Sequence, residues 1–170
     1  PDRLHSYGPL RCNHHRRCWF CGQFTSTQGP GSALCEGIAM EINWDELKQS
    51  AISALENSYA PYSKFPVGVA ALTDRGDVIT GANVENASYG LGLCAECSLV
   101  SELFRTGGGK LVAFACVDKH GNELMPCGRC RQLLYEHRAP GMLLKTVSGI
   151  KTIDEVLPDA FGPDDLVERN

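Results

Sequence analysis

No apolar run in the 170 residues approaches the roughly 18 to 20 residues of a membrane-spanning helix, and residues 1–40 hold no apolar core of a signal peptide. There is no basic excess either. Sixteen Lys plus Arg stand against 20 Asp plus Glu, a formal net charge of -4. That excludes the strong positive footprint of a protein that grips a nucleic-acid backbone, and it points to a small-molecule substrate. At 18.5 kDa, with 43% hydrophobic and 21% charged residues, the chain has material for one ordinary core and not for two full domains. An odd cysteine total without a secretion signal argues against a disulfide framework. These absences lead to the expectation of a soluble, cytoplasmic protein with neither membrane nor nucleic-acid partner.

What the sequence does hold is nine cysteines, a number better suited to metal thiolates. Four lie early (Cys12, Cys18, Cys21, Cys35) and five later (Cys94, Cys97, Cys116, Cys127, Cys130). Residues 1–40 mix Arg, His, Cys, Gly and Pro without sustained helical or strand period, and carry four Arg against two acidic residues. This arm cannot build its own core. One reading is a zinc knuckle from Cys18, Cys21 and two of Cys12, His14 or His15; the simpler one is a disordered tail, or sequence upstream of a natural start at Met40. Arg16 and Arg17 are too slight a footprint for nucleic acid.

Residues 41–170 form the second segment, and their periodicity is orderly. Asn43 caps a helix expected over 44–58, with Trp44, Leu47, Ala51 and Leu55 on one face. Residues 65–73 and 78–84 read as strands joined at Asp74-Arg75-Gly76-Asp77, a hairpin. A helix over 94–105 closes at Gly107, Gly108 and Gly109, which read as a C-terminal cap and not as a phosphate loop. A buried strand over 111–117, a helix over 127–136, a strand over 142–147 and a last turn at 154–157 complete an α/β sheet with covering helices.

The later cysteines open two of these helices. Cys127 and Cys130 stand three apart on one helical face, and Cys94 can reach the same ion from the other helix. Both helix N-termini aim positive partial charge at the thiolates. The same residues also spell a closed structural site, with Cys94, Cys97, Cys127 and Cys130 as four ligands. A catalytic site instead keeps three protein ligands and an open position for water. Glu96 beside a ligand, Pro126 at a helix start, and Asn83 with Glu85 at a strand end favour the open form.

Asn83-Val84-Glu85-Asn86-Ala87-Ser88-Tyr89, Cys94-Ala95-Glu96 and Pro126-Cys127-Gly128-Arg129-Cys130 together resemble the small, tetrameric cytidine deaminases of pyrimidine salvage. The resemblance extends to Tyr62-Ser63-Lys64-Phe65-Pro66-Val67-Gly68 and to Phe161-Gly162-Pro163-Asp164-Asp165-Leu166. It implies a three-layer α/β/α fold with a mixed sheet covered by helices, one Zn2+ per subunit, and hydrolysis of cytidine and 2'-deoxycytidine to uridine and 2'-deoxyuridine. Cys94, Cys127 and Cys130 would hold the zinc, and Glu96 would shuttle the proton. Asn83 and Glu85 would take the ribose hydroxyls, Phe65 would pack on the cytosine ring, and backbone groups of Ala95 and Pro126 would read the pyrimidine edge. In a homotetramer, Tyr89 and Phe161 would complete a neighbour's pocket.

Many members of this family carry an arginine directly after the catalytic glutamate, donating to the thiolates; this chain has Cys97 there. Arg131 and the two helix N-termini are then the candidate compensating groups, with Cys97 a neutral thiol beside the site or, in the closed reading, its fourth ligand. Two other functions stay open at this point: a noncatalytic module built on structural zinc, and a deaminase of the same fold acting on another aminated nucleoside or base.

Overall fold

The computed structural model describes residues 41–167. The chain divides into two units, Pro1–Gly37 and Ile38–Asn170, and the described residues all lie in the second. The irregular arm over residues 1–40 and its zinc-knuckle reading around Cys12, His14, His15, Cys18 and Cys21 lie outside the described residues.

Helix α1 (Trp44–Ala54) begins where the Asn43 side chain accepts a hydrogen bond from the Glu46 N–H at 3.1 Å. It stops short of the expected 58 because Leu55–Asn57 tighten into a 3-10 turn as the apolar spacing gives way to Glu56, Asn57 and Ser58. Strands β1 (Val67–Thr73) and β2 (Val78–Ala82) form the expected hairpin, with Val69 opposite Gly81. Thr73 Oγ1 organises its turn by accepting from the N–H groups of Arg75 and Asp77.

Strand β3 (Leu111–Asp118) pairs antiparallel with β1 on its other side, and β4 (Arg138–Thr146) runs parallel to β3. The edge is β5 (Gly149–Thr152), antiparallel to β4, so the mixed sheet has the order β2-β1-β3-β4-β5. Two features depart from the sequence expectation. Strand β4 starts at Arg138, ahead of the expected 142, and its register jumps from Leu111 opposite Arg138 to Ala113 opposite Leu143. Pro140 and Gly141 fall inside that irregular stretch, which is why its pattern does not read as a strand. Strand β5 is short and half exposed, so it carries no alternating apolar signature.

The two faces of the sheet define the layers. On one face Ala70, Ala113, Ala115 and Val117 pack against Leu47 and Ala51 of α1. On the other, Val69, Phe114, Cys116 and Leu144 pack against α2 (Ala95–Arg105), α3 (Gly128–Glu136) and α4 (Ile153–Val156) through Leu99, Leu103, Leu134 and Ile153. Alternate residues of β1 and β3 thus serve opposite cores, and the fold is a three-layer α/β/α sandwich. Each fully buried Leu, Ile or Phe contributes about 1.5 to 3 kcal/mol. A short helix α5 (Asp164–Val167) ends the described chain. Among the described residues no helix is long and apolar enough to cross a membrane.

Helix α2 is seated by direct backbone contact. A Cβ on Gly81 would lie 2.5 Å from the Ala95 carbonyl oxygen and 2.6 Å from the Leu99 nitrogen. Ser98 Oγ accepts from the Ala82 N–H at 3.0 Å and lies 2.8 Å from the Ala82 carbonyl, stitching the same turn to β2. At its far end the Gly108 N–H donates to the Leu103 carbonyl at 2.7 Å, and Gly107, Gly108 and Gly109 all have positive φ, the geometry of a C-terminal cap. Replacing Gly81 with Ala is therefore expected to push the first turn of α2 off the sheet and to lower stability by about 1 to 3 kcal/mol. Urea denaturation of Gly81→Ala beside the parent measures the effect.

Candidate metal centre and substrate pocket

Cys94 and Cys127 each occupy the position just before a helix, with extended backbone, and Cys130 lies in the first turn of α3. The Cys97 N–H donates to the Cys94 carbonyl and the Arg131 N–H to the Cys127 carbonyl, each at 2.9 Å, which starts the two helices. The sulfurs of Cys94, Cys127 and Cys130 lie within 4.8 Å of one another, and Cys97 is outside this group. The closed site with four cysteine ligands is therefore not assembled.

Three thiols so placed suit zinc. Sulfurs each about 2.3 Å from a tetrahedral zinc stand about 3.8 Å apart, so closing on the ion takes movement of about an ångström at most. Their environments differ. Cys127 sits against the N–H groups of Cys130 and Arg129, which draw its pKa below the ordinary thiol value. Burial pushes the Cys94 thiol up, and burial together with the neighbouring Glu96 carboxylate pushes Cys130 up.

The sulfurs open onto a cavity of about 500 Å³. Glu96 faces it from the first turn of α2 with 4% of its surface exposed, its carboxyl beside the Cys130 thiol. Cys116, expected only as a strand-core residue, is buried and also lines the cavity. Ala95, Asn83, Glu85, Phe65 and Tyr89 form walls and rim.

Asn83 is largely committed to the frame. Its Oδ1 accepts from the Val67 N–H at 2.9 Å and from Ser58 Oγ at 2.6 Å, and its Nδ2 donates to the Phe65 carbonyl at 3.0 Å. One amide N–H remains beyond these bonds. Glu85 Oε2 accepts from the N–H groups of Tyr62 and Ser63 at 2.9 and 3.2 Å. The Ser63 hydroxyl, and then these N–H groups, hold its pKa below the usual carboxylate value. The loop continues through Lys64, at φ 56, to Phe65, which lies ahead of β1 and is 46% exposed. Its ring is open to the cavity and is not core packing of a strand.

Other expected residues sit elsewhere. Tyr89 is 85% exposed, on a 3-10 turn (Tyr89–Leu91) at the cavity mouth. Phe161 is 55% exposed and does not line this cavity; its carbonyl accepts from Gln132 Nε2 at 2.7 Å. Pro126 is buried, and its carbonyl accepts from Arg131 Nε at 2.8 Å. Arg131 Nη1 donates to the Val156 carbonyl at 3.1 Å. The expected sulfur donor therefore spends these groups on backbone oxygens, because its side chain ties the start of α3 to the end of α4. The cation that does line the cavity is Arg129, whose Nη2 donates to Cys97 Sγ at 3.9 Å. Sequence reasoning passed over it, although it stands between Cys127 and Cys130.

Residues 42–146 match the family described as the cytidine and deoxycytidylate deaminase zinc-binding region. The chain belongs to this family. Among curated members it is similar to the cytidine deaminase of Mycobacterium tuberculosis, 54% identical over 126 residues that cover 74% of this chain and 95% of that one. It is 41% identical to the cytidine deaminase of Halalkalibacterium halodurans over 71% of this chain and 95% of the other. Among solved structures, the cytidine deaminase of Mycobacterium leprae is 60% identical and superposes with a TM-score of 0.69, covering 70% of this chain and all 100% of that one. That of M. tuberculosis is 53% identical with a TM-score of 0.70, covering 72% and 99%. The deaminase fold and a zinc cofactor follow from this membership, in agreement with the three-sulfur donor set.

Two outcomes follow from the thiol and carboxyl environments. In metal-stripped protein, Cys127 is expected to react with iodoacetamide before Cys94 and Cys130, with zinc protecting all three; peptide mass mapping reads the order. Glu85, its pKa lowered in the fold, lends stability that is full above the unfolded value of 4.5 and drains away as pH falls from there through the folded value. Glu85→Gln should flatten that part of the stability curve, measured by thermal melts across pH 3 to 6.

Proposed function

We infer that this chain is a zinc-dependent deaminase that hydrolyses cytidine to uridine and ammonia. The observation that carries the reading is the meeting of three thiol sulfurs, within 4.8 Å of one another, with the buried Glu96 carboxyl in one cavity. Cys94, Cys127 and Cys130 would hold the ion, one per subunit. When bound, zinc supplies a Lewis acid that makes water acidic enough to act as a nucleophile near neutral pH.

Glu96 takes the proton of the attacking water and delivers it to N3 of the cytosine ring as C4 is attacked. It then assists departure of the 4-amino group as ammonia. One water is consumed for each ammonia released, and the carboxylate returns to its starting state. The burial of Glu96 supports this role by keeping the proton on a short path among the reacting atoms.

Phe65 packs on the pyrimidine, and backbone groups of Ala95 and Pro126 read its edge. Glu85 keeps Oε1 for a ribose hydroxyl while the Tyr62–Ser63 turn fixes Oε2, and Asn83 adds its remaining N–H. The 3'-hydroxyl is common to ribose and deoxyribose, so 2'-deoxycytidine is a substrate too, and pyrimidine salvage is the setting. The exposed Tyr62, Tyr89 and Leu91 near the cavity mouth support assembly as a homotetramer in which Tyr89 and Phe161 reach a neighbour's pocket. All five described cysteines are free, which supports a reducing, cytoplasmic location. Residues 41–170 constitute the deaminase domain.

Ammonia release on adding cytidine tests the activity, and Glu96→Ala tests the mechanism. That variant is expected to keep its zinc and to lose about 100- to 10,000-fold in kcat, the range for a positioned acid–base group. An unchanged rate would remove Glu96 from the reaction.

A further inference from the structure

We propose that Arg129 is a positioning residue of the zinc site, its guanidinium braced against Cys97 across the seam between α2 and α3 so that it balances the negative charge of the three thiolates. The proposal rests on the ligand reading given above.

Charge counting shows the need. Three thiolates around Zn2+ leave a formal charge of -1, and the same cavity is lined by Glu85 and Glu96. Among the described residues lining it, Arg129 is the only Lys or Arg. Arg131 does not line it, and its Nε and Nη1 donate to the carbonyls of Pro126 and Val156.

The location of Arg129 is otherwise unfavourable. It is the second residue of α3, where the positive end of the helix dipole disfavours a cation unless negative charge lies close by. The thiolates of Cys127 and Cys130, on either side of it in sequence, supply that charge. Its backbone N–H faces Cys127, while its side chain crosses to α2 and donates to Cys97 Sγ at 3.9 Å, one residue beyond Glu96. A single residue thereby touches one ligand through its backbone and the other cysteine-bearing helix through its side chain. Cys97, outside the three-sulfur group, acquires a role as the rest against which the guanidinium is held.

The test is zinc competition with a chromogenic chelator on the full chain, using Cys94→Ala to subtract any zinc bound elsewhere. The parent, Arg129→Ala, Arg129→Lys, and Arg129→Ala combined with Cys97→Arg are compared, with melting temperature and KM measured alongside. Arg129→Ala is expected to hold zinc about 10- to 100-fold more weakly, the range for removing an outer partner of a metal ligand. Arg129→Lys should fall between it and the parent. The combined variant, which delivers a guanidinium to the same seam from α2, should recover most of the loss.

Three results would overturn the proposal. One is parental zinc retention in Arg129→Ala with only KM raised, which would make Arg129 a substrate contact. Another is weakened retention with no recovery in the combined variant at an unchanged melting temperature. The last is a parent that holds no more zinc than Cys94→Ala, which alone would overturn the ligand reading as well.

Discussion

Three sulfur atoms carried by two separate helices have to meet within a few ångströms, and the topology of the sheet is what brings them there. Strands β2 and β3 are each antiparallel to β1, so they run in the same direction. The helices that follow them, α2 and α3, therefore both begin at one end of the sheet, the carboxyl end of β2 and β3, where α/β folds place their ligands. Gly81 lets the first turn of α2 rest on the β2 backbone, and Arg131 ties the start of α3 to the end of α4. Loosening either seat would spread the cysteines without touching a sulfur.

That arrangement concentrates like charge. The cavity joins the three clustered thiols, the buried Cys116 and two carboxylates, and the compensation is divided among unequal donors. Backbone N–H groups at the start of α3 favour the Cys127 thiolate, whereas burial and Glu96 oppose ionisation of Cys130. Bound as proposed above, zinc would reverse the second tendency by holding Cys130 as the thiolate. The substrate side is built differently. Glu85 and Asn83 are held by the backbone of the loop and strand that carry Phe65, so the groups proposed for the sugar and the ring proposed to stack share one support.

Much of this was legible in the residues. The helix periods of α1 and α2, the hairpin and the β3 run each place apolar side chains at spacings that only one kind of element can bury. Strand β5 and the first half of β4 were not legible, because an exposed edge and a Pro-Gly interruption erase the pattern. The cysteine pairs and Glu96 were readable because metal chemistry demands fixed residue types at helical spacing. The direction taken by an arginine was not. Arg131 and Arg129 are two residues apart on α3, about 200° around the helix, and that rotation sends one to the carbonyls of Pro126 and Val156 and the other into the cavity.

By itself the sequence determined the family, the α/β class, the three convergent cysteines and the glutamate beside them, since these depend on residue identity and local spacing. Only the tertiary structure decided that Cys97 stands apart from the other sulfurs, that Phe65 is open to the cavity and not part of the core, and that Arg129 and not Arg131 is the cation at the site. Each of those depends on where a side chain ends up after two or more elements have packed. That placement is fixed by backbone contacts such as Gly81 on α2, which spacing along the chain does not encode.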